Sequence, residues 1–247
     1  MKPTGRHIAQ SDTYSVSDRD RHILAVAGHG IDPEPLLLTG RHLRKEMQAI
    51  RDSAWRDLLF WCVLPITIMI LLRVFFFGLY VIPSGSMLDT INIGDRVVTS
   101  SLSSKNLQRG DIIVFKDPAN WLSEEDLSSG FLIKRLIGLP GDTVACKGAG
   151  YPITVNGVAV DESSYLRPGV DPSSFAFSMK VSAGHLFVLG DNRANSADSR
   201  YHTNDGDGGL VPISDVEGVA IFRYWPITRI GVLDSHHEVF EHVPSGE

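Results

Sequence analysis

Two serines two residues apart, Ser84 and Ser86, stand in residues 82–90 (IPSGSMLDT). A hydroxyl is a weak nucleophile and attacks a carbonyl only with a base to take its proton. Nine histidines are present, most of them in the N-terminal segment or the C-terminal tail. His185 and His202 are the two in the middle of the second half, and neither stands in a recognisable triad setting. Lysine serves instead where burial disfavours its ammonium form and lowers its pKa. Lys134, among Leu132, Ile133, Leu136 and Ile137, has neighbours that would do so. An exposed strand lysine is the commoner outcome of such a pattern, because lysines are seldom fully buried. From the residues alone both readings stay open. A third stretch, residues 190–200 (GDNRANSADSR), is dense in short polar groups. It is either a polar loop or a buttress that orients an amine and is fixed by an Asp/Arg pair.

These stretches need elements to hold them. Residues 58–82 (LLFWCVLPITIMILLRVFFFGLYVI) carry one charge, Arg73. A spanning helix needs roughly 20 apolar residues, which this run supplies if Arg73 snorkels to an interface. The run lies too far from the N-terminus for a cleavable signal peptide. Upstream, Leu43, Met47, Ile50 and Ala54 fall at helical spacing among basic residues, as in a basic amphipathic helix. Five Lys or Arg lie in residues 41–56, and beyond Arg73 the next is Arg96. The excess of basic residues before the span places the N-terminal side in the cytoplasm. The organisation expected is therefore a cytoplasmic segment 1–57, flexible and then helical; a membrane helix 58–79; an outer β-rich domain 80–235; and a tail 236–247. Strands are expected at Arg96–Ser100, 111–115, 131–137, 143–146, 153–160, His185–Leu189 and 219–224. These runs are short, rich in Val, Ile and Phe, and bounded by turn signals such as Asn156-Gly157. Long helices do not alternate with them, so a parallel α/β sheet is disfavoured.

Charge narrows the partners. The 247 residues carry a formal −6, and no basic stripe is available to follow phosphates, so a nucleic-acid partner is not expected. The two cysteines, Cys62 and Cys146, are not expected to pair. No cofactor or metal is expected, since no full ligand pattern is present. The Asp/Gly-rich residues 202–209 read as a flexible loop.

In combination the stretches resemble the bacterial type I signal peptidases, a family of Ser/Lys-dyad membrane serine proteases. IPSGSM with Thr90 resembles the nucleophile box and GDRVV at 94–98 the next. KRLIGLPGD at 134–142 resembles the base box, and GDNRANSADSR the last. VNG at 155–157, HLFVLGDN at 185–192 and FRYWP at 222–226 also match, in family order. The resemblance implies a mostly β fold: an antiparallel β catalytic domain anchored by one N-terminal transmembrane helix. It implies Ser86 as nucleophile and Lys134 as general base, with an oxyanion hole formed by the Ser84 hydroxyl and the Ser86 N–H. Ser196 would orient Lys134, Asp198 and Arg200 would pair, and Gly190 would permit close approach. Tyr80, Ile82, Leu132 and Ile133 would shape shallow pockets for small residues. The implied activity is removal of signal peptides from exported preproteins after Ala-x-Ala-like sites. Signal peptides, membrane lipid and the export machinery would be the partners, and the catalytic domain would lie on the outer face of the cell membrane. A conjugation- or pilus-specific peptidase of the same family, a repressor-type Ser/Lys autoprotease and a binding-only β domain are the alternatives. Asp89 stands where the family usually has Pro, and Ala194 where it often has Asp.

Overall fold

A computed structural model describes residues 35–118, 121 and 130–246; the short apolar patch at 23–27 lies outside them. The chain divides into a compact unit up to Pro65 and a second from Ile66. A single helix, α1 (Pro35–Phe76), carries both the basic stretch and most of the apolar run. Its most apolar part, Ala54–Leu72, has a mean hydropathy of 1.8, and none of that window is buried inside the protein. The helix stops at Phe76, and the last residues of the run become strand β1 (Phe77–Val81).

Beyond the helix, every strand pairing in the second unit is antiparallel. Its strands are β1, β2 (Arg96–Ser100), β3 (Ile112–Lys116), β4 (Phe131–Gly138), β5 (Thr143–Lys147), β6 (Ile153–Val155) and β7 (Val158–Ala159), then β8 (Ala176–Lys180), β9 (His185–Leu189), β10 (Val211–Pro212), β11 (Val216–Trp225) and β12 (Gly231–Val232). The larger sheet runs β1-β2-β11-β3-β4-β9-β10, with β12 on β11, and the smaller runs β7-β6-β5-β8. The expected strand 153–160 is a hairpin, β6 and β7. Asn156 and Gly157 both have positive φ (53° and 80°), and Val155 pairs with Val158 across the two-residue turn. That conformation suits an Asn-Gly pair and matches the twist of the strands.

Strand β4 is the central element for the site. It lies between β3 and β9, and every residue from Leu132 to Gly138 is buried. Ile133 packs with Ile82, Met87, Ile91, Val97 and Ile112 in one core cluster. Leu132 and Leu136 pack with Ile113, Phe115 and Val188 in another. A third core joins the two sheets through Ile137, Val144, Val155, Phe187 and Leu189. The C-terminal tail is part of this core, with Phe240 and Val243 buried in it.

Candidate active site

Residues 82–91 leave β1 as a turn pinned from below. Met87 and Ile91 are fully buried, and Ile91 N–H donates to the Met87 carbonyl at 2.8 Å. Immediately before Met87 the backbone sets Ser86 at the edge of the core, 6% exposed. The 190s loop fixes it there: Asn192 N–H donates to the Ser86 carbonyl at 3.0 Å. The Asn192 side-chain amide donates to the Gly85 carbonyl at 2.9 Å. No acceptor among the described residues takes the Ser86 N–H. The Ser84 hydroxyl lies 3.3 Å from the Ser86 hydroxyl. A free N–H and a second hydroxyl beside a nucleophile are the donors an oxyanion requires.

Lys134 comes from the middle of β4, and its Nζ is 2.7 Å from Ser86 Oγ. Burial disfavours the ammonium and lowers its pKa from 10.5 to about 8, against the opposing pull of Asp198 and Asp191. Nearby carboxylates do not bond to it: Asp191 is held bidentately by Arg135 at 2.8 Å, and Asp198 by Arg200 at 2.8 Å. Asp191 also accepts from the Thr90 hydroxyl at 2.6 Å, tying the two loops together. Asp198 accepts from the Gly190 N–H at 3.2 Å. Gly190 itself has no room for a side chain. A Cβ there would stand 2.5 Å from the Ser86 carbonyl and closer still to the Ser196 hydroxyl. The pair can therefore act as a hydroxyl nucleophile and an amine base that sheds its proton near neutral pH.

The model of the family "Signal peptidase, peptidase S26" matches residues 55–225. The chain belongs to this family. A probable signal peptidase I-2 of Synechocystis is 34% identical over 208 residues, 83% of this chain and 89% of that protein. The signal peptidase I of Bacillus caldolyticus is 38% identical over 183 residues, 68% and 90% of the respective chains. A crystal structure of a signal peptidase I from Enterococcus faecalis is 32% identical and covers 46% of this chain and 96% of its own, with a TM-score of 0.34. The chain is thus a peptidase of the signal peptidase type, and the motifs named from the sequence lie inside or at the edge of the matched range.

Within this signal peptidase, a cavity of about 290 Å³ holds Ser84, Ser86 and Lys134 with Pro83, Phe131, Leu132, Ile133 and Trp121 around them. Leu132 and Ile133 line it as expected of pocket residues. Tyr80 and Ile82 do not. Tyr80 packs edge-on against Phe131 with centroids 5.4 Å apart, and Ile82 is buried in the core. A larger cavity of about 680 Å³, around residues 150–172, shares no residue with the dyad cavity. Of the two, the smaller holds a serine hydroxyl within hydrogen-bond reach of a buried amine, and it is the candidate site.

Asp198 and Arg200 pair as the resemblance implies, but Ser196 makes no hydrogen bond to Lys134. Its hydroxyl is buried and unpartnered among the described residues. Sequence reasoning did not find Glu162, which receives the buried Arg193 guanidinium at 2.8 and 2.5 Å. Arg193 Nε in turn donates to the Gly190 carbonyl at 3.0 Å. Glu162 lies in a loop with no local pattern that marks it, so only its place in space reveals it. Trp121 was missed for the same reason. Residues 202–209, expected to be flexible, are organised by Asp205. Its carboxylate accepts from Gly209 N–H at 2.7 Å and Asp207 N–H at 3.2 Å.

Proposed function

We propose that this chain removes signal peptides from exported preproteins after Ala-x-Ala-like sites, with Ser86 as nucleophile and Lys134 as general base. The observation that carries the reading is the 2.7 Å approach of Lys134 Nζ to Ser86 Oγ in a buried setting. Neutral Lys134 accepts the Ser86 proton as Oγ attacks the scissile carbonyl. The developing oxyanion is held by the Ser86 N–H and the Ser84 hydroxyl, each such donor being worth roughly 3 kcal/mol. The new lysine ammonium protonates the leaving amine. Lys134, neutral again, deprotonates a water that hydrolyses the acyl-enzyme. The unpartnered Ser196 hydroxyl is available to steady the amine through these transfers.

The same reading places the chain in the cell membrane as a single pass, with the N-terminus cytoplasmic and the β unit outside. The unburied apolar window of α1 supports the span, and the basic residues before it support the orientation. An apolar row on the β unit supports contact with lipid. Leu79, Val98, Phe222 and Val232 are register partners across four strands. Leu79 is 41% and Val232 80% exposed, with Val98 and Phe222 half-buried between them, and exposed apolar residues grouped in this way mark an interaction surface. A site held at the bilayer meets emerging signal peptides at raised effective concentration.

The test is cleavage of a preprotein by the full chain purified in detergent, with sequencing of the new N-terminus. Wild type is expected to cut after Ala-x-Ala, and Ser86→Ala and Lys134→Ala to leave the preprotein intact. Substantial cleavage by either variant would remove the dyad assignment.

A further inference from the structure

One wall of the dyad cavity plays no part in the chemistry above. Trp121 lines the cavity that contains Ser86 and Lys134, yet it is only 6% exposed, because its other surfaces are gripped. Phe115 meets the indole edge-on at 6.1 Å. The His202 ring lies flat against it, with centroids 4.4 Å apart and planes 4° from parallel. Its Nε1–H donates to Asp205 at 2.7 Å, and its backbone N–H donates to Asp117 at 2.7 Å. Asp205 is itself immobilised, because its other oxygen is occupied by the Gly209 and Asp207 N–H groups. Burial holds His202 below the ordinary imidazole range, against the pull of Asp205, so the ring stacks uncharged at neutral pH. His202 and Asp205, both within residues 202–209, thus bracket one side chain.

An indole with its N–H satisfied and both its plane and its edge fixed cannot turn aside for a bulky group. A wall of this kind rejects by size, because a larger occupant must displace the bracket as well as the ring. We propose that Trp121, clamped by His202 and Asp205, is a specificity-determining residue that limits the size of the substrate side chain admitted beside Ser86. The inference rests on the reading of the chain as a Ser86/Lys134 peptidase. Trp121 also belongs to the core cluster with Phe115, Leu132 and Leu136, so the test must separate selectivity from stability.

The experiment uses the full chain in detergent and a preprotein series bearing Ala, Val, Leu or Phe at each position from −3 to +2 about the cut. The readout is the ratio of kcat/KM for the bulky substrate to that for Ala. One methylene in an apolar pocket is worth roughly 10–200-fold in discrimination. Trp121→Ala is therefore expected to raise the ratio at one position by about tenfold or more, and Trp121→Phe by less. Asp205→Asn should broaden the same position by a smaller factor. An Asn that keeps its oxygen on the Gly209 N–H turns an amide N–H toward the indole N–H, and neither can accept. Should Trp121→Ala fail to fold, Trp121→Phe and Asp205→Asn carry the test. Unchanged ratios, or equal loss on every substrate, would make Trp121 a core residue only and overturn the proposal. If wild type cuts none of the series, the peptidase reading fails and this inference falls with it. A wild type that cuts normally beside variants of unchanged selectivity overturns this inference alone.

Discussion

Lys134 and Arg135 are neighbours on β4, both buried, and the protein treats their charges in opposite ways. Arg135 points to a face that satisfies it in full. Asp191 binds it bidentately, the Gly110 and Ser235 carbonyls accept from it at 2.8 and 3.1 Å, and the Tyr165 ring lies 4.2 Å beneath it. Lys134 points to the other face, where its only hydrogen bond among the described residues is with a neutral hydroxyl. Burial costs both cations their hydration. The paired one stays charged and holds two loops in register, whereas the unpaired one gives up its proton more easily. What differs between the two faces is a carboxylate within bonding reach.

The largest effect should come from giving the Lys134 position a cation that cannot deprotonate. Lys134→Arg is expected to lower kcat by about 10³-fold or more, because a guanidinium stays charged at any working pH. Retained turnover on a preprotein would show that the contrast between the two faces is irrelevant to catalysis. Next is the satisfied face. Asp191→Ala leaves Arg135 buried and unpaired, which costs roughly 3–5 kcal/mol, read as a shift in the denaturant midpoint. Arg135→Met combined with Asp191→Ala should recover much of that loss, since replacing both partners is often near neutral.

Stability of the lysine face follows from its pKa. Lys134 titrates at about 8 when folded, against an ordinary 10.5. Between these values the unfolded chain binds the extra proton and the folded chain does not, so stability rises with pH across that window. Below about pH 8 the folded state bears the whole penalty of a buried ammonium. Removing it with Lys134→Met should stabilise the protein by up to ~3 kcal/mol near neutral pH, at about 1.4 kcal/mol per pH unit. The gain should fade toward pH 10.5 in melts run across that range. In the active protein, kcat/KM should climb with pH through about 8 and then level. Because Asp191 favours the charged lysine, Asp191→Asn should move that limb to lower pH. A further loss of activity is expected from Ser84→Ala, whose hydroxyl lies 3.3 Å from that of Ser86. Loss of an oxyanion donor lowers kcat about 10²-fold while KM changes little, and wild-type turnover would remove Ser84 from the oxyanion hole.

Much of this was readable before any coordinates. The limits of β2 and β9 follow from their Val- and Phe-rich runs, and Asn156-Gly157 marks its own hairpin. Strand β1 was hidden because FGLYV continues an apolar run. Nothing local says that the helix stops at Phe76 except that the next residues pair with β2. Strand β8, AFSMK, has alternating exposure but is no more apolar than the loops beside it. Glu162 and Trp121 lie in segments without a pattern, and each matters through a contact distant in sequence, with Arg193 and Asp205.

The sequence by itself determined the chemical groups, their order along the chain, the apolar helix and the strand-rich domain, because residue type and short-range periodicity carry that information. It left open whether the Lys134 amine is exposed or buried beside a hydroxyl. Only the tertiary structure decided that. A strand residue is desolvated by its neighbours in the sheet, and those of Lys134 arrive as β3 and β9, the second some fifty residues away. The same long-range pairing brings Ser86 within 2.7 Å of its amine and holds Asp191 and Asp198 on arginines instead.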